Sequence, residues 1–238
     1  MKKVLLSLVL IASTMLSTVW AYDFSVASPS GHTLYYQIIS GTTNVGLVNP
    51  GYNDYVSGEV VIPSTVTYDN TTYNVTELKY GSVGTFENCT GITSITIPNS
   101  VTTIGENAFA FCSGLSSVTI PNSVTAIDGY SFYGCTSLTS ITIPNSITSI
   151  GEALFYGCTN LTSVTIPNTV TTIGLGAFYN CTSLSSITLP SSLTAIDNYC
   201  FTNCTSLNSI TIPNSVTTIG NYAFYGCAGL LSITIPNS

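Results

Sequence analysis

The sequence predicts an α/β solenoid, mostly β, with an N-terminal β cap, and three observations carry that fold class. Six 23-residue units follow one another without a gap from Ile95 to Ser232, and self-similarity at this period marks coils stacked side by side. In each unit an apolar–polar–apolar triplet runs into a proline, as in Ile141-Thr-Ile143-Pro144, which is the alternation of a strand with one buried face. A unit of this size cannot enclose its own apolar side chains, so the core closes only between neighbouring coils.

Residues 1–21 come first. Lys2 and Lys3 precede an apolar run from Val4, which ends at Val19-Trp20-Ala21. A charged start, an apolar middle and a small terminal residue predict a signal peptide cleaved after Ala21, hence export. No cysteine follows the cleavage point closely, so a lipid-anchored lipoprotein is not expected.

Residues 22–77 lack the repeat and are expected to form the cap. Thr33-Leu-Tyr-Tyr-Gln-Ile-Ile39 and Glu59-Val-Val-Ile-Pro63 are rich in branched and aromatic residues, which favour strands. Val66-Thr-Tyr68 and Thr72-Tyr-Asn-Val75 flank a polar stretch that suits a hairpin turn. The end of a solenoid exposes apolar residues and an open strand edge, and a cap covers both.

Residues 78–238 are the array: a divergent first coil, six full repeats over 95–232 and a truncated seventh. After the strand come two further buried positions, such as Val101 and Ile104, spaced as a second short extended piece. Gly105 and its equivalents are read as turn residues of positive φ. In Glu106-Asn-Ala-Phe-Ala-Phe-Cys112 the spacing of Ala, Phe and Cys predicts a short helix. Gly or Asn before most of the cysteines suits a left-handed helix end. The array breaks off six residues into its seventh copy, which predicts a fragment of a longer array.

Composition excludes several function classes. Charged residues are 5% of the chain and hydrophobic ones 45%, too apolar for a disordered segment. Polar residues interrupt the apolar ones too regularly for a membrane span after signal cleavage. Beyond the signal, Lys79 alone faces ten carboxylates. Nucleic-acid binding needs a basic footprint to displace counterions, so no nucleic-acid partner is expected.

Seven of the eight cysteines, Cys89, Cys112, Cys135, Cys158, Cys181, Cys204 and Cys227, occupy one slot of successive coils. The slot lies in an apolar pattern, where a thiol packs as a small hydrophobe. Pairing neighbours would consume the column two by two, so a structural ladder of reduced thiols is expected over disulfides or metal binding. Cys200 replaces an alanine of other units and reads as core filling. Cofactors and catalytic residues are expected to be none. His32 is the only histidine and belongs to the cap, while Glu106, Asp128, Glu152 and Asp197 are turn positions.

Outward columns are the candidate ligand-binding surface: Ser117, Thr119, Ser140, Thr142, Ser163, Thr165, Ser186 and Thr188. They alternate with buried strand residues and line up along one face. A second column, Tyr133, Tyr156, Tyr179 and Tyr225, follows the buried phenylalanine and is expected to be partly exposed. Six Asn-x-Ser/Thr sequons, at Asn70, Asn74, Asn88, Asn160, Asn180 and Asn203, arise readily in a Thr-rich chain.

Leu138-Thr-Ser-Ile141-Thr-Ile143 matches the L-x-x-L-x-L strand of leucine-rich repeats. The combined pattern A-F-Y-x-C-T-x-L-x-S-I-T-I-P-N-S-V-T-x-I-G resembles the BspA-like branch of that family, over Phe86–Ser238. The resemblance implies a right-handed, curved coil with its strands on the concave face. It also implies a secreted or cell-surface protein engaged in adhesion or protein binding. Ordinary leucine-rich repeats carry Asn or Cys at the ninth strand-motif position. Here Ser100 and its equivalents stand there, with Asn99 and its equivalents just before, and sequence leaves open which of them forms a ladder.

Together these readings lead to a non-enzymatic binding module on the cell surface or beyond it. Its partner is expected to be a protein or glycan on a host or neighbouring cell. The alternative is a structural spacer or surface-layer repeat without a specific ligand. A glycan-binding or ice-binding threonine array stands third.

Overall fold

The computed structural model describes residues 22–51, 56–79 and 83–235. The segment read as a signal peptide, with Lys2 and Lys3, lies outside them.

Among the described residues six strands come first: β1 (Phe24–Ala27), β2 (Thr33–Ile38), β3 (Asn44–Val48), β4 (Gly58–Val61), β5 (Thr65–Tyr68) and β6 (Thr71–Leu78). Strands β1, β2 and β3 pair antiparallel, and β3 then runs parallel to β6. The β5–β6 hairpin closes at Asp69 and Asn70, with φ of 47° and 59°. Two left-handed residues suit the twist of a two-residue hairpin. Buried Phe24 and Tyr36 stack inside this region at 5.5 Å.

Ten short strands follow in alternation. They are β7 (Ile92–Thr96), β8 (Thr103–Ile104), β9 (Ser117–Thr119), β10 (Ala126–Ile127), β11 (Ser140–Thr142) and β12 (Ser149–Ile150). Then come β13 (Ser163–Thr165), β14 (Thr172–Ile173), β15 (Ala195–Ile196) and β16 (Thr218–Ile219). They form two parallel rows. One contains β4–β7–β9 and β11–β13, and bridges at Ser186–Ser209 and Thr211–Thr234 continue its register. The other runs β6–β8–β10 and β12–β14–β15–β16. Each residue therefore sits over its equivalent 23 positions away, as in Ile141 over Val164. This is the mostly-β repeat solenoid that the period predicts.

The core is a set of columns. Phe86, Phe109, Phe132, Phe155, Phe178, Phe201 and Phe224 stack coil on coil at 5.2–5.7 Å between ring centres. The first six are fully buried, and burying such a ring stabilises by roughly 1.5–3 kcal/mol. Leucines, isoleucines and valines of both rows pack against them.

The expected helix is absent: no helix occurs among the described residues. Residues 106–112 form consecutive turns instead, because their amides divide between two destinations. Asn107, Phe109 and Phe111 donate to the carbonyls of Gly129, Ser131 and Tyr133 in the next coil, at 3.3, 2.8 and 2.6 Å. Ala108, Ala110 and Cys112 close local turns onto Gly105, Asn107 and Phe109, at 3.0–3.2 Å. A helix this short would pair only its last amides internally and leave those of its first turn without partners. Here the stacked neighbour offers carbonyls in register and wins half of them.

The positive-φ assignment also shifts. Gly105 and its equivalents only open the turn. The left-handed residues are Asn107, Tyr130, Ala153, Gly176, Tyr199 and Tyr222, two places later, where such a turn needs φ above zero. The second left-handed column falls just before each cysteine, as expected: Asn88, Gly134, Gly157, Asn180, Asn203 and Gly226. Phe111 takes the same conformation at 59° and is 45% exposed.

Candidate functional site

Ser117, Thr119, Ser140, Thr142, Ser163, Thr165, Ser186 and Thr188 are all exposed. Their flanking strand residues turn inward, buried at Ile141, Val164 and Ile187 and partly so at Val118. Parallel in-register pairing puts like over like, Ser140 over Ser163 and Thr142 over Thr165. From β7 onward the row thus presents lines of short hydroxyl side chains, with the exposed Glu59 of β4 beside Ser94 at its first strand. Near one end a shallow groove of about 420 Å³ lies over Ser186, Thr188, Ser209, Thr211, Ser191 and Pro213. Ser191 and Pro213 follow the strand motif, and the alternation rule alone does not select them.

The ninth-position question resolves in favour of the hydroxyl in the four middle coils, while Ser100 and Ser215 at the two ends have no hydrogen-bond partner among the described residues. Ser123, Thr169 and Ser192 donate to the carbonyls of Val101, Ile147 and Val170 one coil back, at 2.7, 2.6 and 2.6 Å. Ser146 does the same to Val124. A second ladder, on exposed threonines, runs Thr171 to Thr148, Thr194 to Thr171 and Thr217 to Thr194. These hydroxyls are tied down by neighbouring coils, whereas the strand-row hydroxyls face outward.

The cysteine column is more than apolar filling. Cys112, Cys135, Cys158, Cys181, Cys204 and Cys227 each donate the thiol hydrogen to a phenylalanine carbonyl of the preceding coil, at 3.0–3.2 Å. The Phe109 carbonyl, for one, accepts both the Cys112 amide and the Cys135 thiol. All eight cysteines are buried thiols. Burial pushes the pKa up at Cys135, Cys158, Cys181, Cys200, Cys204 and Cys227, to about 12 for Cys158, so these are poor nucleophiles and poor metal ligands at neutral pH. Sequence reasoning recognised the slot as interior but missed the donor role.

His32 is committed to the cap. Its Nε2 lies 2.7 Å from the Ser57 carbonyl and its Nδ1 3.0 Å from Ser30 Oγ. Ser30 Oγ also accepts the Val61 amide, which links the β1–β2 turn to the start of the strand row. Among the described residues no group of three His, Cys, Asp or Glu side chains is placed to hold a metal ion.

A second concave surface lies on the turn segments. Tyr133, Tyr156 and Tyr179 are half-buried and stack at 4.7 and 4.5 Å. With Tyr130, Tyr199 and Glu152 they line a groove of about 460 Å³. Tyr130 donates its hydroxyl to Glu152 Oε1, and that bond, together with desolvation and the nearby negative charge, pushes the Tyr130 pKa up to about 12. Tyr130 and Glu152 were not selected as ligand residues from sequence, because each looks like an isolated turn residue until adjacent coils are superposed.

A profile of the BspA type leucine-rich repeat region matches in six copies, over residues 79–207 and 126–238. The chain belongs to this family. Among solved structures, a leucine-rich repeat protein from Bacteroides ovatus is similar at 30% identity and a TM-score of 0.65. That match covers 91% of this chain and 66% of that one. The Treponema pallidum leucine-rich repeat protein is similar at 29% identity and a TM-score of 0.72, covering 83% and 87%. One from Eubacterium ventriosum shares 30% identity at a TM-score of 0.50, covering 74% and 51%. The BspA-type chain thus spans about two thirds of the Bacteroides ovatus protein and half of the Eubacterium ventriosum one. No curated protein gives a significant match. Among the described residues no helix is long and apolar enough to cross a membrane.

Proposed function

We propose that this BspA-type repeat protein is a secreted or cell-surface, non-enzymatic binding module. It would act in adhesion or protein–protein interaction through the outward strand row. Its partner is a protein or glycan on a host or neighbouring cell. One observation carries this reading: the eight Ser and Thr side chains of the row are exposed, and paired strands set like over like, as Ser140 over Ser163 and Thr119 beside Thr96, while six of the thiols and four of the ninth-position hydroxyls are spent inside the stack. A rigid face of short side chains held on paired strands costs little ordering entropy on binding. The Met1–Ala21 segment supports export.

The test is capture of extracellular matrix proteins and of an immobilised glycan array by the purified chain. A double variant, Thr142→Lys with Thr165→Lys, serves as the face-specific control. Saturable binding that falls at least about tenfold in the variant is expected, since two long charges sit in the middle of the contact. Binding to no member of either panel, or binding indifferent to the variant, would leave a structural spacer as the better description.

A further inference from the structure

The slot that carries Tyr130, Tyr199 and Tyr222 carries Ala153 and Gly176 in the two coils between. Asn107 holds it in the coil before Tyr130, and where two rings occupy adjacent coils of this column, at Tyr199 and Tyr222, they stack at 5.3 Å with planes 7° apart. Tyr130 and Tyr199 are three coils apart, roughly 14 Å at the parallel strand spacing. Ala153 and Gly176 carry no ring over those two coils and lie buried in the floor of the groove described above, with the Tyr156 and Tyr179 side chains beside Gly176. Among the described residues the Tyr199 ring stacks on one side only, towards Tyr222; its other side faces this slot. Glu152 stands exposed at the groove, with Oε1 accepting from Tyr130. The chain carries a formal charge of −7 and no arginine.

We infer that this groove binds arginine side chains of a basic protein segment. A guanidinium is planar, stacks on aromatic faces and pairs with carboxylates. Two such groups fill the two ring positions between Tyr130 and Tyr199, with Glu152 as counter-ion and the tyrosine hydroxyls at the edge. A carboxylate has about four acceptor positions, so the Tyr130 bond leaves Glu152 able to receive a second donor. A lysine would supply charge without the planar stacking, and a neutral sugar would leave the Glu152 charge uncompensated. This site is separate from the strand row and does not rest on the strand-row reading.

Titration calorimetry of the full chain with acetylated tetra-arginine amide, the tetra-lysine equivalent and cellotetraose tests it. Saturable tetra-arginine binding is expected, at least about threefold tighter than tetra-lysine. Glu152→Gln should weaken it at least about fivefold. The double variant Ala153→Tyr with Gly176→Tyr restores the ring column and should abolish it. Tyrosine holds this backbone conformation natively, at φ of 60° in Tyr130 and 58° in Tyr199, and unchanged circular dichroism checks that the filled variant folds. Thr142→Lys with Thr165→Lys should leave binding intact, which separates failure here from failure of the strand row. No tetra-arginine binding, binding that survives the filled groove, or cellotetraose binding in its place would overturn the inference.

Discussion

Six stacked thiols, from Cys112 to Cys227, each donate to a carbonyl of the coil before, and that donor role makes the fold sensitive to alkali. Burial raises the Cys158 pKa to about 12, against about 8.5 for a cysteine in an unfolded chain. Cys135, Cys181 and Cys200 shift the same way, chiefly through desolvation. The folded chain keeps protons that the unfolded chain gives up, so this stabilisation is complete below about pH 8.5. It is lost as pH rises from there towards 12. For Cys158 alone the loss at pH 9.5 is about 1.4 kcal/mol. Urea denaturation at pH 7.5 and 9.5 should show the midpoint falling with pH, and falling less in Cys158→Ala. An unchanged midpoint would mean that the thiols are not held protonated inside.

At the scale of the repeating element, two readings from sequence diverge for a physical reason. The strand triplets and the Cys column are legible because alternation and slot identity survive from coil to coil. The segment 106–112 is not, since apolar spacing there fits a short helix as well as it fits a run of turns. Only the neighbouring coil decides, by offering Gly129, Ser131 and Tyr133 carbonyls to the Asn107, Phe109 and Phe111 amides, which a helix this short would mostly leave unpaired. The same dependence on neighbours separates hydroxyls that look alike in sequence. Thr169 Oγ1 donates to the Ile147 carbonyl at 2.6 Å, whereas Ser215 Oγ is buried without a partner among the described residues. Thr169→Val should therefore cost about 1 kcal/mol, and Ser215→Ala should be neutral or slightly stabilising. Thermal unfolding of the two variants checks the contrast, and equal losses would argue against the ladder.

At the scale of the whole molecule, stability is a sum over coil interfaces rather than the property of one centre. Phe155 is fully buried between Phe132 and Phe178, while Phe224 is partly exposed and stacks on Phe201 alone among the described residues. Phe155→Ala should cost about 3–5 kcal/mol, the range for a buried aromatic ring. Phe224→Ala should cost clearly less, and denaturant titration would show the order. The solenoid was legible in the 23-residue period, and the strand face in the Ser and Thr columns. The tyrosine groove was not, because it arises from Ala153 and Gly176 interrupting a column whose other members lie up to three coils away. Substitutions that break a column matter at this scale even when each residue looks unremarkable in its own unit.

Interior columns of reduced thiols and stacked rings, with binding left to the outer faces, form the core of this account, and thiol counting tests it most directly. The chain would be purified without reductant and titrated with a thiol reagent, first folded at pH 7.5 and then in denaturant. The account predicts almost no reaction while folded, since even the most accessible thiol, Cys227, is only 9% exposed. It predicts eight thiols after denaturation. Fewer than six thiols in denaturant, or rapid reaction of the folded chain, would contradict it.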